Sequence, residues 1–153
     1  MACQQSANRQ DLLDVGIPEK MAEYRRGQLS DIHYSLSFEI PEDHGQPIPA
    51  HLSLEVTVHA LDQPLYLDFN ADRGHLLSLT VNDKEATITH EQEHLIIDPH
   101  ALKIGKNTID IDFMAGELSL NLNADFLYTL LVPDRASTLF PCFDQPDLKA
   151  TYQ

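Results

Sequence analysis

The chain has 153 residues, of which 42% are hydrophobic and 22% charged, a composition typical of one globular domain rather than a disordered polypeptide. Its 24 acidic and 10 basic side chains give a net charge of −14, which repels phosphate backbones and anionic headgroups, so no nucleic-acid partner is expected. No apolar run approaches the roughly 18–20 residues that a bilayer-spanning helix needs, so no transmembrane segment is predicted.

Residues 1–17 are predicted to form a disordered or extended leader. They begin with Met1-Ala2-Cys3, and a cysteine in this position resembles the lipid-bearing residue of a bacterial lipoprotein after removal of its signal peptide. The pattern favours an exported, periplasmic protein or one that is lipid-anchored through Cys3; a plain leader on a cytoplasmic protein is the alternative. The apolar surroundings of Cys142 predict a buried structural thiol.

Residues 18–153 are predicted to form a single β-rich domain that opens with a short helix. Pro18 and Glu19 suit the first helical turn, and Arg25-Arg26-Gly27 suits its end, because acids at the start and bases at the end complement the helix dipole.

After the helix, apolar and polar residues alternate in a series of short segments, which is the pattern of strands with one buried face. These segments are 32–40, 52–58, 65–69, 77–81, 86–89, 95–97, 109–113 and 118–122. Turn-forming residues separate them, for example in Pro41–Pro49 and at Asn82-Asp83. The chain is therefore predicted to be an all-β domain of antiparallel twisted sheets or a β-sandwich, each sheet having one covered face.

His90-Glu91-Gln92-Glu93-His94 matches the H-E-x-x-H signature of zinc peptidases. Two histidines four residues apart share a face only on a helix, and here strand-like residues flank the motif on both sides. The position where a glutamate zincin has its third ligand is occupied by Phe113. We therefore interpret His90, Glu91 and His94 as a chance match without a metal, and expect a hairpin loop with both histidines in solvent.

The end of the chain departs from the alternating pattern, since three prolines fall within residues 133–146 and interrupt an aromatic, apolar run. Such interruption predicts a fixed, irregular path. Phe140 and Phe143 are expected to be buried against a sheet, and Asp144 is expected to accept hydrogen bonds from backbone N–H groups.

Phe140–Ala150, which reads FPCFDQPDLKA, resembles the F-P-C-F-D-E-P-x-x-K-A stretch of the aminopeptidase N family of zinc peptidases, which includes leukotriene hydrolase. Gln145 replaces the usual acid. The short helix ending in A-E-Y-R-R, followed by alternating strands, is similar to the start of the family's N-terminal domain.

The resemblance implies a saddle-like, non-catalytic N-terminal domain that docks a catalytic domain of the same polypeptide and walls its substrate cleft. The zinc, the catalytic residues and most contacts with peptide substrates would belong to that downstream domain. This part of the polypeptide is therefore expected to hold no cofactor and to hydrolyse nothing by itself.

In this family a Gln or Glu shortly before the F-P-C-F stretch binds the free amino group of the substrate. The equivalent position here is Val132, whose side chain cannot accept a hydrogen bond. The resemblance leaves two arrangements open. Either the loop is shifted by two residues and Asp134 supplies the carboxylate, or the catalytic domain alone recognises the amine. A turn-capping role for Asp134 is the purely structural alternative.

Two other functions fit the same residues. One is a non-enzymatic interaction module of the same fold, which would also lack the amine-binding acid. The other is an exported ligand-binding β-sandwich, for which aromatic residues are few: the chain has no Trp, and aromatic residues make up 7%. The resemblance favours the domain of a zinc aminopeptidase over both.

Overall fold

The computed structural model describes residues 12–123, 125–132 and 134–153, so Cys3 and most of the predicted leader lie outside the described residues. Helix α1 spans Glu19–Gln28. The strands are β1 Leu29–Phe38, β2 Pro49–Val58, β3 Leu65–Asp68, β4 Leu76–Val81, β5 Lys84–Glu85, β6 Thr89–Glu91, β7 His94–Ile97, β8 Gly105–Met114, β9 Leu120–Leu122, β10 Leu127–Thr129 and β11 Ala150–Tyr152. Short 3-10 helices occupy Arg73–His75, Pro99–Ala101 and Ala136–Thr138.

The described strands form three sheets. The largest has the order β11-β1-β2-β8-β4-β5, the second has the order β3-β7-β6, and β9 pairs with β10 in a separate hairpin. Every pair is antiparallel except β1 with β11, which is parallel because the end of the described chain returns alongside β1. The prediction of an all-β fold with a short N-terminal helix is confirmed.

The six-stranded and three-stranded sheets enclose one apolar core. Leu52, Leu54 and Val56 of β2 enter this core, as do Leu65 and Leu67 of β3, and each is at most 1% exposed. The alternate residues of β2 are only partly buried, so the alternation of apolar and polar residues correctly predicted which face of β2 is buried.

The three-stranded sheet is buried on both faces. Leu65 belongs to the main core, whereas Tyr66 and Ile96 form a second apolar cluster with Met21 of α1 and with Leu12. Because α1 and the preceding segment cover this second face, all four residues of β3 and all four of β7 are buried. The prediction of one covered face per sheet is therefore wrong for this sheet.

Some elements begin or end differently from the prediction. Pro18 caps α1 in an extended conformation (ψ 147°) instead of being its first residue, and Gly27 lies inside the helix. Residues 86–88 do not form a strand, because the chain crosses there from one sheet to another. Leu118 precedes β9 and is 72% exposed. No helix among the described residues has the length and apolar character needed to cross a membrane.

Gly116 allows a close contact between the loop after β8 and the 3-10 helix at Ala136–Thr138. A Cβ atom at Gly116 would overlap the carbonyl oxygen of Thr138, so only glycine fits without a backbone shift. The Gly116 N–H donates to the Leu139 carbonyl at 3.0 Å, and the Ser119 and Thr138 hydroxyls lie 2.6 Å apart. Hydrogen bonds therefore link the irregular segment, residues 134–146, to the loop that leads into β9.

Candidate functional site

An acidic cleft of about 540 Å³ lies where the segment before α1, the β6–β7 hairpin and the irregular segment meet. Five carboxylates line it, from Asp68, Glu93, Asp134, Asp144 and Asp147. His94 and Gln145 add a ring and an amide, and residues 16–17 contribute the wall that precedes α1. The cleft thus combines the segment that carries the sequence resemblance with residues that are distant from it in the chain.

Asp68 belongs to a buried network with Arg25 and His94. Arg25 is 0% exposed and donates from Nη1 to Asp68 Oδ2 at 2.9 Å and from Nη2 to Asp68 Oδ1 at 2.5 Å. His94 Nδ1 lies 2.9 Å from Asp68 Oδ1, and the Arg25 guanidinium lies 5.5 Å from the centre of the Phe143 ring. Bidentate pairs of a guanidinium with a carboxylate are among the strongest hydrogen-bonded contacts in proteins.

The strand register brings Asp68 and His94 together. Asp68 ends β3 and is the direct antiparallel partner of His94, which begins β7. Both side chains point to the face that also carries Tyr66 and Ile96, since residues two apart share a face. That face is covered by α1, and a charge buried there requires a partner. Arg25 of α1 supplies it.

The same contacts set the ionisation of Asp68. Burial opposes ionisation of this carboxyl, but the Arg25 guanidinium and the hydrogen bonds from His94 and Arg25 outweigh burial and hold its pKa below the ordinary value of 3.8. Asp68 is therefore a fixed carboxylate at neutral pH and does not serve as a proton donor.

The apolar residues of the F-P-C-F stretch are buried, as the sequence predicts. Phe140 and Phe143 are each 5% exposed and Cys142 is 1% exposed. Burial, together with the nearby carboxylates of Asp144 and Asp68, raises the pKa of the Cys142 thiol well above 9.0, so the thiol is neutral at physiological pH. The predicted burial of the Cys142 thiol is confirmed.

Hydrogen bonds join Asp68 to the irregular segment. Its main chain exchanges two hydrogen bonds with Cys142, at 2.7 and 3.0 Å, and its Oδ2 accepts from the Asp144 N–H at 2.9 Å. Asp144 Oδ2 in turn accepts from the Ser137 N–H at 2.9 Å. The predicted capping of backbone N–H groups by Asp144 is therefore observed.

The structure separates the two positions that were predicted to meet a substrate amine. Asp134 is exposed, lines the cleft and has a left-handed φ of 48°. Val132 is 75% exposed, and it does not line the cleft. The Arg135 N–H donates to the Leu131 carbonyl at 3.2 Å, so Val132 and Asp134 lie within the same turn. Pro133 lies outside the described residues. Of the two, only Asp134 offers a carboxylate at the cleft.

The H-E-x-x-H residues form a β-hairpin. Gln92 and Glu93 make its two-residue turn, with φ of 51° and 65°. The cross-strand partner of His94 is Glu91, not His90, so the two histidines project from opposite faces of the ribbon. In this arrangement the two imidazoles do not share a face, unlike in the helix that the zinc signature requires.

The expectation that both histidines lie in solvent is wrong. His94 is 1% exposed because α1 and the segment before it cover its face of the sheet, and its Nε2 lies 2.9 Å from the Asp14 carbonyl oxygen. His90 is partly buried, with Nε2 2.8 Å from the Phe69 carbonyl oxygen. Within the described part of the chain, no group of three or more His, Cys, Asp or Glu side chains is placed to hold a metal ion.

An exposed apolar surface extends along the β9–β10 hairpin and its flanking residues, and we call it the apolar hairpin surface. Its large side chains are each more than half exposed: Leu118, Phe126, Tyr128, Leu130 and Val132. An apolar groove of about 360 Å³ lies beside it, lined in part by Phe38, Ile40, Leu120 and Leu127. Exposed apolar patches of this kind are typical of surfaces that bind another protein or domain.

The network of Arg25, Asp68 and His94 was not predicted from the sequence. Arg25 was expected only to complement the helix dipole, and His94 was expected in solvent. One signal was present: Asp68 is the single charged residue in the otherwise apolar run 65–69. An acid in such a run is buried only with a cation or hydrogen-bond donors beside it.

No protein-family model matches the chain, and a search of curated proteins gives no match. Its fold, however, is that of one part of the zinc metallopeptidases. It matches leukotriene A4 hydrolase from Saccharomyces cerevisiae with a TM-score of 0.70 at 20% identity. It matches an M1 zinc metallopeptidase from Deinococcus radiodurans with a TM-score of 0.62 at 18% identity. It also matches a mutant M1 zinc metallopeptidase from the same organism, bound to a Tyr-Ser-Ala substrate, with a TM-score of 0.58 at 18% identity.

Each of these matches covers 82% of this chain. The chain spans only 22% of the yeast hydrolase and 31% of each Deinococcus radiodurans structure. At these identities the likeness shows the fold, and the fold is the one that the FPCFDQP segment predicted.

Proposed function

We propose that this chain is the non-catalytic N-terminal domain of a zinc aminopeptidase of the aminopeptidase N family, which removes N-terminal residues from peptides. The observation that carries the proposal is the shared fold, which covers 82% of this chain but only 22% of the yeast hydrolase and 31% of the Deinococcus radiodurans metallopeptidase. The FPCFDQP segment supports the same family independently. Zinc and the peptide-cleaving residues then belong to a catalytic domain in the same polypeptide.

The apolar hairpin surface supports a docking role for this domain. Covering exposed apolar area gains roughly 25 cal/mol per Å², so side chains such as Tyr128 and Leu130 favour a packed neighbour. A catalytic domain packed there would lie next to Val132 and the turn that carries Asp134. The acidic cleft would then form one wall of the substrate cleft.

Asp134 is the residue that we assign to the substrate amine. Its carboxylate is exposed at a cleft where Glu93 and Asp144 add further negative charge. An ammonium group is favoured there by charge-assisted hydrogen bonds and by the surrounding potential. Val132 would contribute only apolar contact.

A second candidate function is a non-enzymatic interaction module of the same fold. The observation that favours it is Val132, an exposed apolar residue at the position where the family places an amine-binding Gln or Glu. Such a module would use the apolar hairpin surface to bind a protein partner, and its acidic cleft would have no role in peptide cleavage.

The test compares the full-length polypeptide with the 153-residue chain. The full-length polypeptide is expected to contain stoichiometric zinc and to release N-terminal residues from short peptides, whereas the 153-residue chain does neither. Metal analysis and an assay of released amino acids provide the measurements, with a chelator-treated sample as the control. A full-length polypeptide that binds no zinc and cleaves no peptide would contradict the proposal and favour the interaction module.

A further inference from the structure

We propose that Asp144 is a positioning residue: the buried carboxylate of Asp68 holds its backbone N–H, and its side chain fixes the loop of residues 134–137 that carries Asp134 at the cleft. The relevance of this loop to substrate rests on the proposed function. The positioning itself follows from contacts within the described residues.

The carboxylate of Asp68 has a position that packed elements determine. It is 4% exposed and accepts from Arg25 Nη1, Arg25 Nη2 and the Asp144 N–H at 2.5–2.9 Å, and His94 Nδ1 lies 2.9 Å from its Oδ1. A carboxylate has about four acceptor sites, so these contacts leave it little freedom to turn. Arg25 comes from α1 and His94 from β7, and both elements are part of the packed domain.

Asp144 transmits this position to the loop. Its N–H donates to Asp68 Oδ2, and its own Oδ2 accepts from the Ser137 N–H, each at 2.9 Å. The Ser137 carbonyl accepts from the Asn70 N–H at 2.8 Å. Ser137 is therefore held on both sides by residues that lead back to the same end of β3.

The loop is exposed at one end and buried at the other. Asp134 has a φ of 48°, in the left-handed region that aspartate tolerates, and the Arg135 N–H closes the turn on the Leu131 carbonyl at 3.2 Å. The Asp134 side chain is exposed and lines the cleft. Ser137, three residues further on, is buried and gives the loop a fixed end.

The experiment removes the hydrogen bond between the Ser137 N–H and the Asp144 carboxylate, and it leaves the buried Arg25–Asp68 ion pair intact. Asp68→Asn would leave Arg25 buried without its counter-ion, so Asp144→Ala is the better variant. It removes the acceptor of the Ser137 N–H, and the amide exchange rate of Ser137 in the 153-residue chain, measured by NMR, should rise about tenfold or more. Asp144→Asn keeps an oxygen acceptor and should restore most of the protection.

Asp147→Ala is the matched control. Asp147 lies in the same segment and also lines the cleft, but the carboxylate that accepts from the Ser137 N–H is that of Asp144. Asp147 accepts from Gln145 Nε2 at 2.8 Å and pairs with the exposed Arg26 at 3.3 Å. Its substitution should leave Ser137 exchange unchanged. A wild-type exchange rate of Ser137 in Asp144→Ala would overturn the positioning role.

Kinetics of the full-length polypeptide separate this inference from the proposed function. Asp144→Ala should raise KM for peptides with kcat largely kept, and Asp144→Asn should restore KM. If Ser137 exchange rises while KM stays unchanged, the positioning of the loop is supported and the contact of Asp134 with substrate is contradicted. If the full-length polypeptide cleaves no peptide, the proposed function fails, and the exchange measurement still decides whether Asp144 holds the loop.

Discussion

Asp68 shows how a charged residue is accommodated between two apolar layers. Its strand is covered by the main core on one face and by α1 on the other, so the residue is only 4% exposed. The Arg25 guanidinium neutralises it there, and the His94 ring lies beside it. A buried pair of this kind adds little net stability over apolar residues, but loss of one partner costs about 3–5 kcal/mol because the other charge stays buried. The network therefore requires α1, β3 and β7 to pack together in one arrangement.

The assignment of the substrate amine to Asp134 leads to a kinetic prediction. In the full-length polypeptide, Asp134→Ala should raise KM for peptides about tenfold and largely keep kcat, because a hydrogen bond to a charged group contributes ~1.5–3 kcal/mol. Steady-state kinetics with short peptides measures this effect. Asp125→Ala, which removes an exposed carboxylate from the β9–β10 loop, is the control and should leave KM unchanged.

A substrate amine bound beside position 132 would give the opposite result. If the amine lies beside position 132, Val132→Glu should lower KM by introducing the missing carboxylate, and Asp134→Ala should have no effect. Leu130→Glu adds the same charge two residues earlier on the same exposed surface and serves as the matched control. This pair of outcomes would contradict the role assigned to Asp134.

The two tight hairpins use different turn residues for the same backbone shape. Asn82 and Asp83 join β4 to β5 with φ of 50° and 65°, and Gln92 and Glu93 join β6 to β7 with φ of 51° and 65°. Asparagine and aspartate tolerate the left-handed region, whereas glutamine and glutamate have no such advantage. The β6–β7 turn is therefore the strained one, and Glu93 at its tip also lines the acidic cleft.

Replacing the strained turn should stabilise the domain. The double variant Gln92→Asn/Glu93→Gly is expected to raise the free energy of unfolding by roughly 1 kcal/mol, because Asn-Gly is the favoured pair in a turn with two positive φ angles. Urea denaturation with an unchanged slope measures this. Asp83→Gly in the other hairpin is the control and should gain less. A loss of stability would show that the Glu93 side chain contributes more at the cleft than its backbone costs.

The stability of the whole domain is expected to fall at both extremes of pH. The pKa of Asp68 is held below its ordinary 3.8, so its contribution to stability is present above that value and is lost as the pH falls through the lowered pKa. Burial, followed by the influence of Cys142, raises the pKa of Tyr34 well above 10.0. The contribution of Tyr34 is therefore present below pH 10 and is lost as the pH rises through the raised pKa.

Urea denaturation at about pH 3, 7 and 11 checks both limbs of this dependence. The free energy of unfolding should be highest at the middle value. Asp112→Ala is the control for the acid limb, because hydrogen bonds from Ser78 and His51 also lower the pKa of Asp112, but its side chain is 58% exposed. The acid limb should persist in this variant. A free energy of unfolding that stays constant from neutral pH to pH 3 would contradict the role of the buried carboxylate.

Local pattern was sufficient for much of this protein. Alternation of apolar and polar residues predicted the strands and which side chains of β2 face the core, since that information repeats every two residues along the chain. The Asn82-Asp83 turn and the hairpin at residues 90–94 followed from their flanking strands. The FPCFDQP segment predicted both the burial of Phe140 and Phe143 and the fold found in solved metallopeptidases.

The arrangement of the candidate site depended on contacts between residues that are far apart in sequence. Arg25, Asp68 and His94 meet because α1 covers a sheet whose register pairs β3 with β7, and no local pattern specifies which helix covers which face. The burial of His94, the parallel pairing of β1 with β11 and the support of the Asp134 loop by Asp144 have the same origin. Strand periodicity is a property of neighbouring residues, whereas the pairing of buried charges depends on how complete layers pack.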